Sequence, residues 1–338
     1  MDIAETTQDG WRALTFAAND LAVTIFPDHG AEIASLVHTP TKTELLYQAA
    51  WGRTRPDDPP LDGAGDAEFL QRYAGGWQEL FPNAGDPTSV DGIDFPFHGE
   101  AATASWIVDE HEGGIRARFT SPTTGLELTR VMRFGDTPAT LILDETVTNG
   151  ASVERHFTWG HHLVLGAPFL DAGCRLDLPV TWGWIPSLPG DAHRLEPAER
   201  FTWPHAIGRD GLPIDLRDVP GPEVDSHDGL YMTGLQAGYL AAENPQLGMR
   251  FEISFDPNVF PWVTLWMPYG GLHEPPLANM YGVGIEPWRT PLPLAEAIET
   301  GEALLLAPGE DVQTELRVLV NAISARTPVI GLDEKEWM

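Results

Sequence analysis

The sequence predicts an all-β fold, a sandwich or barrel of many short strands with only a few short helices. Two observations carry this. Short apolar or alternating runs recur along the chain, each broken by Gly, Pro, Asn or Asp. The 34 glycines and 30 prolines leave little room for long helices. With 338 residues, 42% of them hydrophobic, there is ample material for a large core, and one domain spanning residues 1–338 is expected.

The first three strands are expected at Trp11–Phe16, Leu21–Phe26 and Glu32–His38, separated by Asn19-Asp20 and by Asp28-His29-Gly30. Four more are expected at Ile115–Phe119, Leu126–Phe134, Thr140–Thr148 and Glu154–Trp159. In Thr140–Thr148, Leu141, Leu143, Glu145 and Val147 share one face, and Ile142, Asp144 and Thr146 share the other. Late strands are expected at Met249–Phe255, Val263–Met267, Ala303–Leu306 and Gln313–Leu319. Helices are expected at Asp66–Tyr73 and Leu294–Thr300. The Pro/Asp/Gly-rich stretch 57–65 reads as a surface loop, and Trp182–Val224 as long loops over one sheet edge.

The charge balance narrows the partners. Fifty acidic residues against 20 basic give a net charge of −30. That argues against nucleic-acid binding, which needs a cationic face, and it disfavours an anionic membrane surface. A single cysteine, Cys174, rules out an intrachain disulfide and multi-cysteine zinc sites. The first 20 residues lack a cationic stretch followed by an apolar run, and no segment approaches a membrane span. A cytoplasmic location is expected.

Three separated pieces carry the chemistry: Phe97-His98-Gly99-Glu100, Trp159-Gly160-His161-His162 and Gly284-Ile285-Glu286-Pro287-Trp288. Each sets an imidazole or a carboxylate among apolar and small residues. A carboxylate in a frame as apolar as that of Glu286 costs energy unless it is partnered or used, and taking a hydroxyl proton is a natural use. Histidine changes charge near neutral pH at little cost, which suits proton donation to an ether-like oxygen. Adjacent strand residues face opposite ways, so one of His161 and His162 should point into a site and the other should be structural. Trp77 and Asn83, in Gly75-Gly76-Trp77-Gln78-Glu79-Leu80-Phe81-Pro82-Asn83, supply an apolar platform and an amide for a sugar. Asp228 is a further candidate for sugar hydroxyls. A metal site built from His98, His161, His162 and Glu286 lacks any His-x-His or His-Glu-x-x-His spacing, and no metal is assigned.

The order of these pieces, closed by Leu304-Leu305-Leu306-Ala307-Pro308-Gly309-Glu310 and a final strand, resembles the aldose 1-epimerase (galactose mutarotase-like) superfamily over nearly the whole chain. The resemblance implies a large antiparallel β-sandwich with a sugar in an open cleft on one sheet. It implies an isomerase that interconverts α and β anomers without a cofactor. Carried over, Glu286 is the base for the anomeric hydroxyl, His162 the acid at the ring oxygen, and His98 the second histidine. Of the residues read above, His161, Trp77, Asn83 and Asp228 are expected to hold the substrate. Members carry an Arg in an Asn-Arg segment, whereas this chain has Asn83-Ala84-Gly85, which puts galactose or glucose as substrate in doubt. For a phosphorylated sugar, Arg72, Arg130 and Arg289 are the available cations. The competing readings are a non-catalytic carbohydrate-binding protein on the same fold, a hexose-6-phosphate epimerase, and a lyase or glycosidase on a similar sandwich.

Overall fold

The computed structural model describes residues 2–58, 67–188 and 190–323. Two antiparallel sheets face each other across one large apolar core. The larger has 14 strands and the smaller eight. Down its middle the large sheet runs Glu32–His38, Trp77–Leu80, Gly160–Leu165, Val283–Trp288, Trp262–Tyr269, Ser226–Thr233, Trp182–Ile185. The small sheet centres on Met249–Ser254, Asp311–Ala322, Thr140–Asn149 and Leu126–Phe134. This is the large antiparallel sandwich the resemblance implied.

Period-two alternation builds the sandwich. In Thr140–Asn149, Leu141, Leu143, Glu145 and Val147 are buried, while Asp144, Thr146 and Thr148 are half-buried. In the large sheet, Trp77, Leu163, Ile285, Leu265 and Val263 project inward onto Leu141, Leu143, Phe251 and Ile253 of the small one. Leu21–Phe26, Glu32–His38 and Leu126–Phe134 form over the residues expected, as does helix Leu294–Thr300. A helix forms at Ala67–Arg72, where one was expected from Asp66 to Tyr73. The loop expected at 57–65 lies outside the described residues beyond position 58.

Two expectations are corrected. Residues 182–215 are not a set of loops: Trp182–Ile185, Ala198–Thr202, His205–Ile207 and Pro213–Asp215 extend the large sheet by four short strands. Their brevity and the prolines between them hide the alternation. His161 and His162 also do not follow a strand that starts at Glu154. That strand is only Arg155–Phe157, and the histidines lie inside a separate one, Gly160–Leu165, near the centre of the large sheet. It pairs with Trp77–Leu80 on one side and Val283–Trp288 on the other.

A smaller apolar layer covers the outer face of the large sheet. Phe69 and Tyr73, from the 67–72 helix and the residue after it, pack with Leu80, Val164, Met280 and Trp288. Among the described residues, no helix is long and apolar enough to cross a membrane.

Candidate functional site

Alternation sends Glu286 and His162 to the outer face of the large sheet. Glu286 lies opposite Thr264, and His162 opposite Gln78. Glu286 Oε1 is 3.8 Å from His162 Nε2. The other oxygen, Oε2, accepts a hydrogen bond from Trp288 Nε1 at 3.1 Å, which fixes the carboxyl group. Gly284 makes room for it: a Cβ there would lie 2.3 Å from Oε1.

His98 arrives from a loop rather than a strand, and its ring centroid is 5.7 Å from that of His162. Its backbone is left-handed, with φ 62°, a conformation that side chains adopt at a cost and that clusters at functional sites. Gly99 follows at φ 77°, and a Cβ there would lie 2.4 Å from the Phe81 carbonyl oxygen, so the loop depends on glycine. His98 Nδ1–H donates to the Ala84 carbonyl at 2.9 Å, which leaves Nε2 as an acceptor.

Burial sets the electrostatics. Glu286, His98 and His162 are 1%, 6% and 6% exposed. Burial pushes the Glu286 carboxyl well above its usual range, against the Trp288 hydrogen bond that favours ionisation. Burial pulls His162 down to about 4, and it pulls His98 well below the ordinary histidine value, with His162 adding to the effect. Burial thus favours the protonated carboxyl at Glu286 and the neutral form of both imidazoles. Glu286 Oε1, His162 Nδ1 and the Tyr73 hydroxyl are buried with no hydrogen-bond partner among the described residues. Three orphaned polar atoms in one place fit a site built to receive hydroxyl groups.

The implied open cleft is corrected. The Phe69 ring sits 4.7 Å from His98 and 5.5 Å from His162, and the Tyr73 ring sits 5.1 Å from His162. These two side chains roof the cluster.

Four of the expected substrate-binding residues are not brought to this place. Trp77 and His161 point inward, because they alternate with Gln78 and His162. Both are fully buried, and Trp77 Nε1 donates to His161 Nδ1 at 3.1 Å. Asn83 is spent on the chain itself, taking the Leu294 N–H and giving N–H bonds to the Asp86 and Pro96 carbonyls. Asp228 lies opposite Met267 on the inner face, where it accepts from the Leu195 N–H and the Arg194 guanidinium. Its neighbour His227 is the residue that faces outward, accepting from Trp266 Nε1 at 2.8 Å. Trp266 in turn lies 5.4 Å from the His162 ring.

The inner face carries its own charged group. Arg130 bridges Glu79 and Glu145, all three of them fully or almost fully buried. Trp159 Nε1 also donates to Glu79. Because Trp77 fills His161 Nδ1, the proton of a neutral His161 sits on Nε2, 3.4 Å from Glu145. Burial pulls His161 down, against the pull of Glu145; burial pushes Glu145 up, but His161 and Arg130 outweigh that and keep it ionised. Glu79, Glu145 and His161 present ligand atoms within 4.8 Å of one another, yet the Arg130 guanidinium already supplies the positive charge between the carboxylates. The four residues weighed for a metal cannot form one set, since His161 lies on the opposite face from His162 and Glu286.

None of the three arginines considered for a phosphate is at the outer-face cluster. Arg130 is internal, Arg72 lies over the Trp11 ring, and Arg289 donates to the Glu302 and Asn258 carbonyls.

This geometry defines a galactose mutarotase-like fold, and solved structures agree. A provisionally assigned aldose 1-epimerase from Klebsiella pneumoniae aligns with 93% of this chain and 81% of its own, at 18% identity and a TM-score of 0.71. A galactose mutarotase-like protein from Clostridium acetobutylicum aligns over 95% and 98%, at 17% identity and a TM-score of 0.63. A galactose mutarotase related enzyme from Lactobacillus acidophilus aligns over 92% and 98%, at 20% identity and a TM-score of 0.62. At these identities the likeness is one of fold. No curated protein matches the chain. Residues 8–320 match the family described as a domain of unknown function, DUF4432, and the chain belongs to that family.

Proposed function

We propose that this protein is an aldose 1-epimerase that interconverts the α and β anomers of a sugar by acid–base catalysis at Glu286 and His162. The observation that carries this reading is the buried pair itself, with 3.8 Å between a carboxyl oxygen and an imidazole nitrogen and His98 alongside.

Mutarotation needs one group to take the proton of the anomeric hydroxyl and another to protonate the ring oxygen. A carboxyl and an imidazole that share a single proton supply both. With the proton moved to His162, the Glu286 carboxylate takes the O1 proton. The C1–O1 bond becomes a carbonyl, the C1–O5 bond breaks, and O5 takes the proton from His162. Rotation about C1–C2 and reclosure through the reverse transfers give the other anomer and restore the proton count. Burial favours the proton on Glu286 over His162, so binding of sugar hydroxyls would tip it towards His162, or the two groups begin with their roles exchanged. His98, held by the Ala84 carbonyl, offers an acceptor for a neighbouring hydroxyl. A pyranose reaches the pair only when Phe69 and Tyr73 move aside. No metal or organic cofactor takes part in this reading.

The test is α/β exchange NMR on free aldoses and hexose 6-phosphates, with wild type and Glu286→Gln. Accelerated exchange in the wild type that is lost in the variant supports the reading. Sugar binding without accelerated exchange supports a carbohydrate-binding protein instead.

A further inference from the structure

Beyond the catalytic cluster, the outer face of the large sheet carries a run of aromatic side chains. Trp288 lies 5.6 Å, edge to face, from His98, and its ring centroid is 6.4 Å from that of Tyr231. Tyr231 is 5.1 Å from Trp184, and Trp184 is 5.5 Å from Trp262. The backbone register explains the row. Trp184 pairs with Tyr231, Tyr231 with Thr264, and Trp262 with Trp288, so alternation sends all four aromatic side chains to one face of four adjacent strands. Trp184, Tyr231 and Trp262 remain partly exposed, unlike the aromatics of the core. At the far end a groove of about 490 Å3 opens, lined by Trp184, Pro186, Ser187, Pro197 and Glu199. It offers apolar faces, one hydroxyl and one carboxylate.

We propose that this row and groove form a second sugar subsite, and that the substrate is a reducing disaccharide. Its reducing ring would meet Glu286 and His162, and its second ring would stack on Tyr231 and Trp184. The proposal rests on the anomerase reading for the reducing ring alone. Three chemical features favour the assignment. Pyranoses present C–H faces that stack on aromatic rings, and hydroxyl rims that carboxylates and hydroxyls bond. The row is continuous with the cluster through Trp288, which itself holds Glu286. The Glu286 and Tyr231 strands are two spacings apart, roughly 10 Å, a span that two rings joined through one oxygen cover.

Calorimetric titration tests this. The ligands are glucose, galactose, their 1,4-linked reducing disaccharides, and the methyl glycosides of those disaccharides, which bind without anomerising. The wild type should bind a disaccharide and its methyl glycoside at least about tenfold more tightly than the reducing-end monosaccharide, equivalent to about 1.4 kcal/mol. Trp184→Ala should bring that ratio to within about twofold of one while leaving monosaccharide affinity unchanged. Equal wild-type affinity for one ring and two overturns the proposal, as does no binding of either, or an equal weakening of both by Trp184→Ala. Disaccharide methyl glycosides that bind tightly while no sugar shows accelerated exchange would keep the subsite and remove the anomerase.

Discussion

The two sides of the large sheet meet similar side chains in opposite states, with Arg130 and Glu145 reaching the inner side from the small sheet. Inside, Glu79, Glu145, Arg130 and His161 are locked to one another and to Trp77 and Trp159, with two carboxylates facing one guanidinium. Outside, Glu286, His162 and His98 are nearly as buried, but among the described residues no cation pairs with the carboxyl, and Glu286 Oε1 and His162 Nδ1 have no hydrogen-bond partner. A buried carboxylate beside a guanidinium stays ionised and holds structure. The same group beside a neutral imidazole is pushed by burial towards its protonated form, which can give a proton away. The boundary between these states falls between two consecutive residues, His161 and His162.

Substitutions should separate the faces. The largest effect is expected at Glu286→Gln, which keeps the shape and removes the transferable proton. Anomeric exchange should fall by about 10²–10⁴-fold in exchange NMR, with the unfolding midpoint close to wild type. On the inner face, Arg130→Met leaves Glu79 and Glu145 without their cation. It should cost about 3–5 kcal/mol of stability in denaturant titration, and exchange per folded molecule should persist. If Arg130→Met abolished exchange in protein still folded, the division between faces would fail.

A smaller effect is expected with pH. His162 titrates at about 4 when folded and at 6.5 when unfolded, so the unfolded chain takes up the proton first as pH falls. The stability tied to this group is fully present above pH 6.5 and is lost between pH 6.5 and 4. Between pH 7 and 5 the loss is about 2 kcal/mol. His162→Gln should show a shallower fall over the same range in parallel unfolding curves. The smallest expected effect is that of chelation: excess EDTA should leave exchange rate and stability unchanged. Loss of exchange with EDTA, restored by a divalent cation, would place a metal at Glu79, Glu145 and His161 despite Arg130.

Much of the sandwich is legible in the sequence because alternation is local. Leu21–Phe26 and Leu126–Phe134 declare their buried faces residue by residue. The rule that one of two adjacent histidines turns inward also needs only a strand, and His161 and His162 obey it. What the sequence conceals is which way a strand is turned. Asp228 and His227 are equally polar and sit side by side, and only the pairing with Met267 and Pro268 sends the first inward and the second outward. Trp77 and Asn83 mislead for a related reason, since an aromatic ring and an amide serve a core or a loop as well as a sugar. Phe69, Tyr73 and Trp266 carry no motif. They reach the cluster through the packing of a short helix and a strand distant in sequence, and no local pattern announces that.

The paired substitutions His161→Ala and His162→Ala, compared in the same α/β exchange experiment with unfolding free energies measured alongside, test the division most directly. His162→Ala should lose anomeric exchange and keep most of its stability. His161→Ala should lose about 1–3 kcal/mol of stability and keep exchange per folded molecule within several-fold of wild type. The reverse ranking, with His161 governing turnover and His162 stability, would contradict the assignment of the outer face to catalysis.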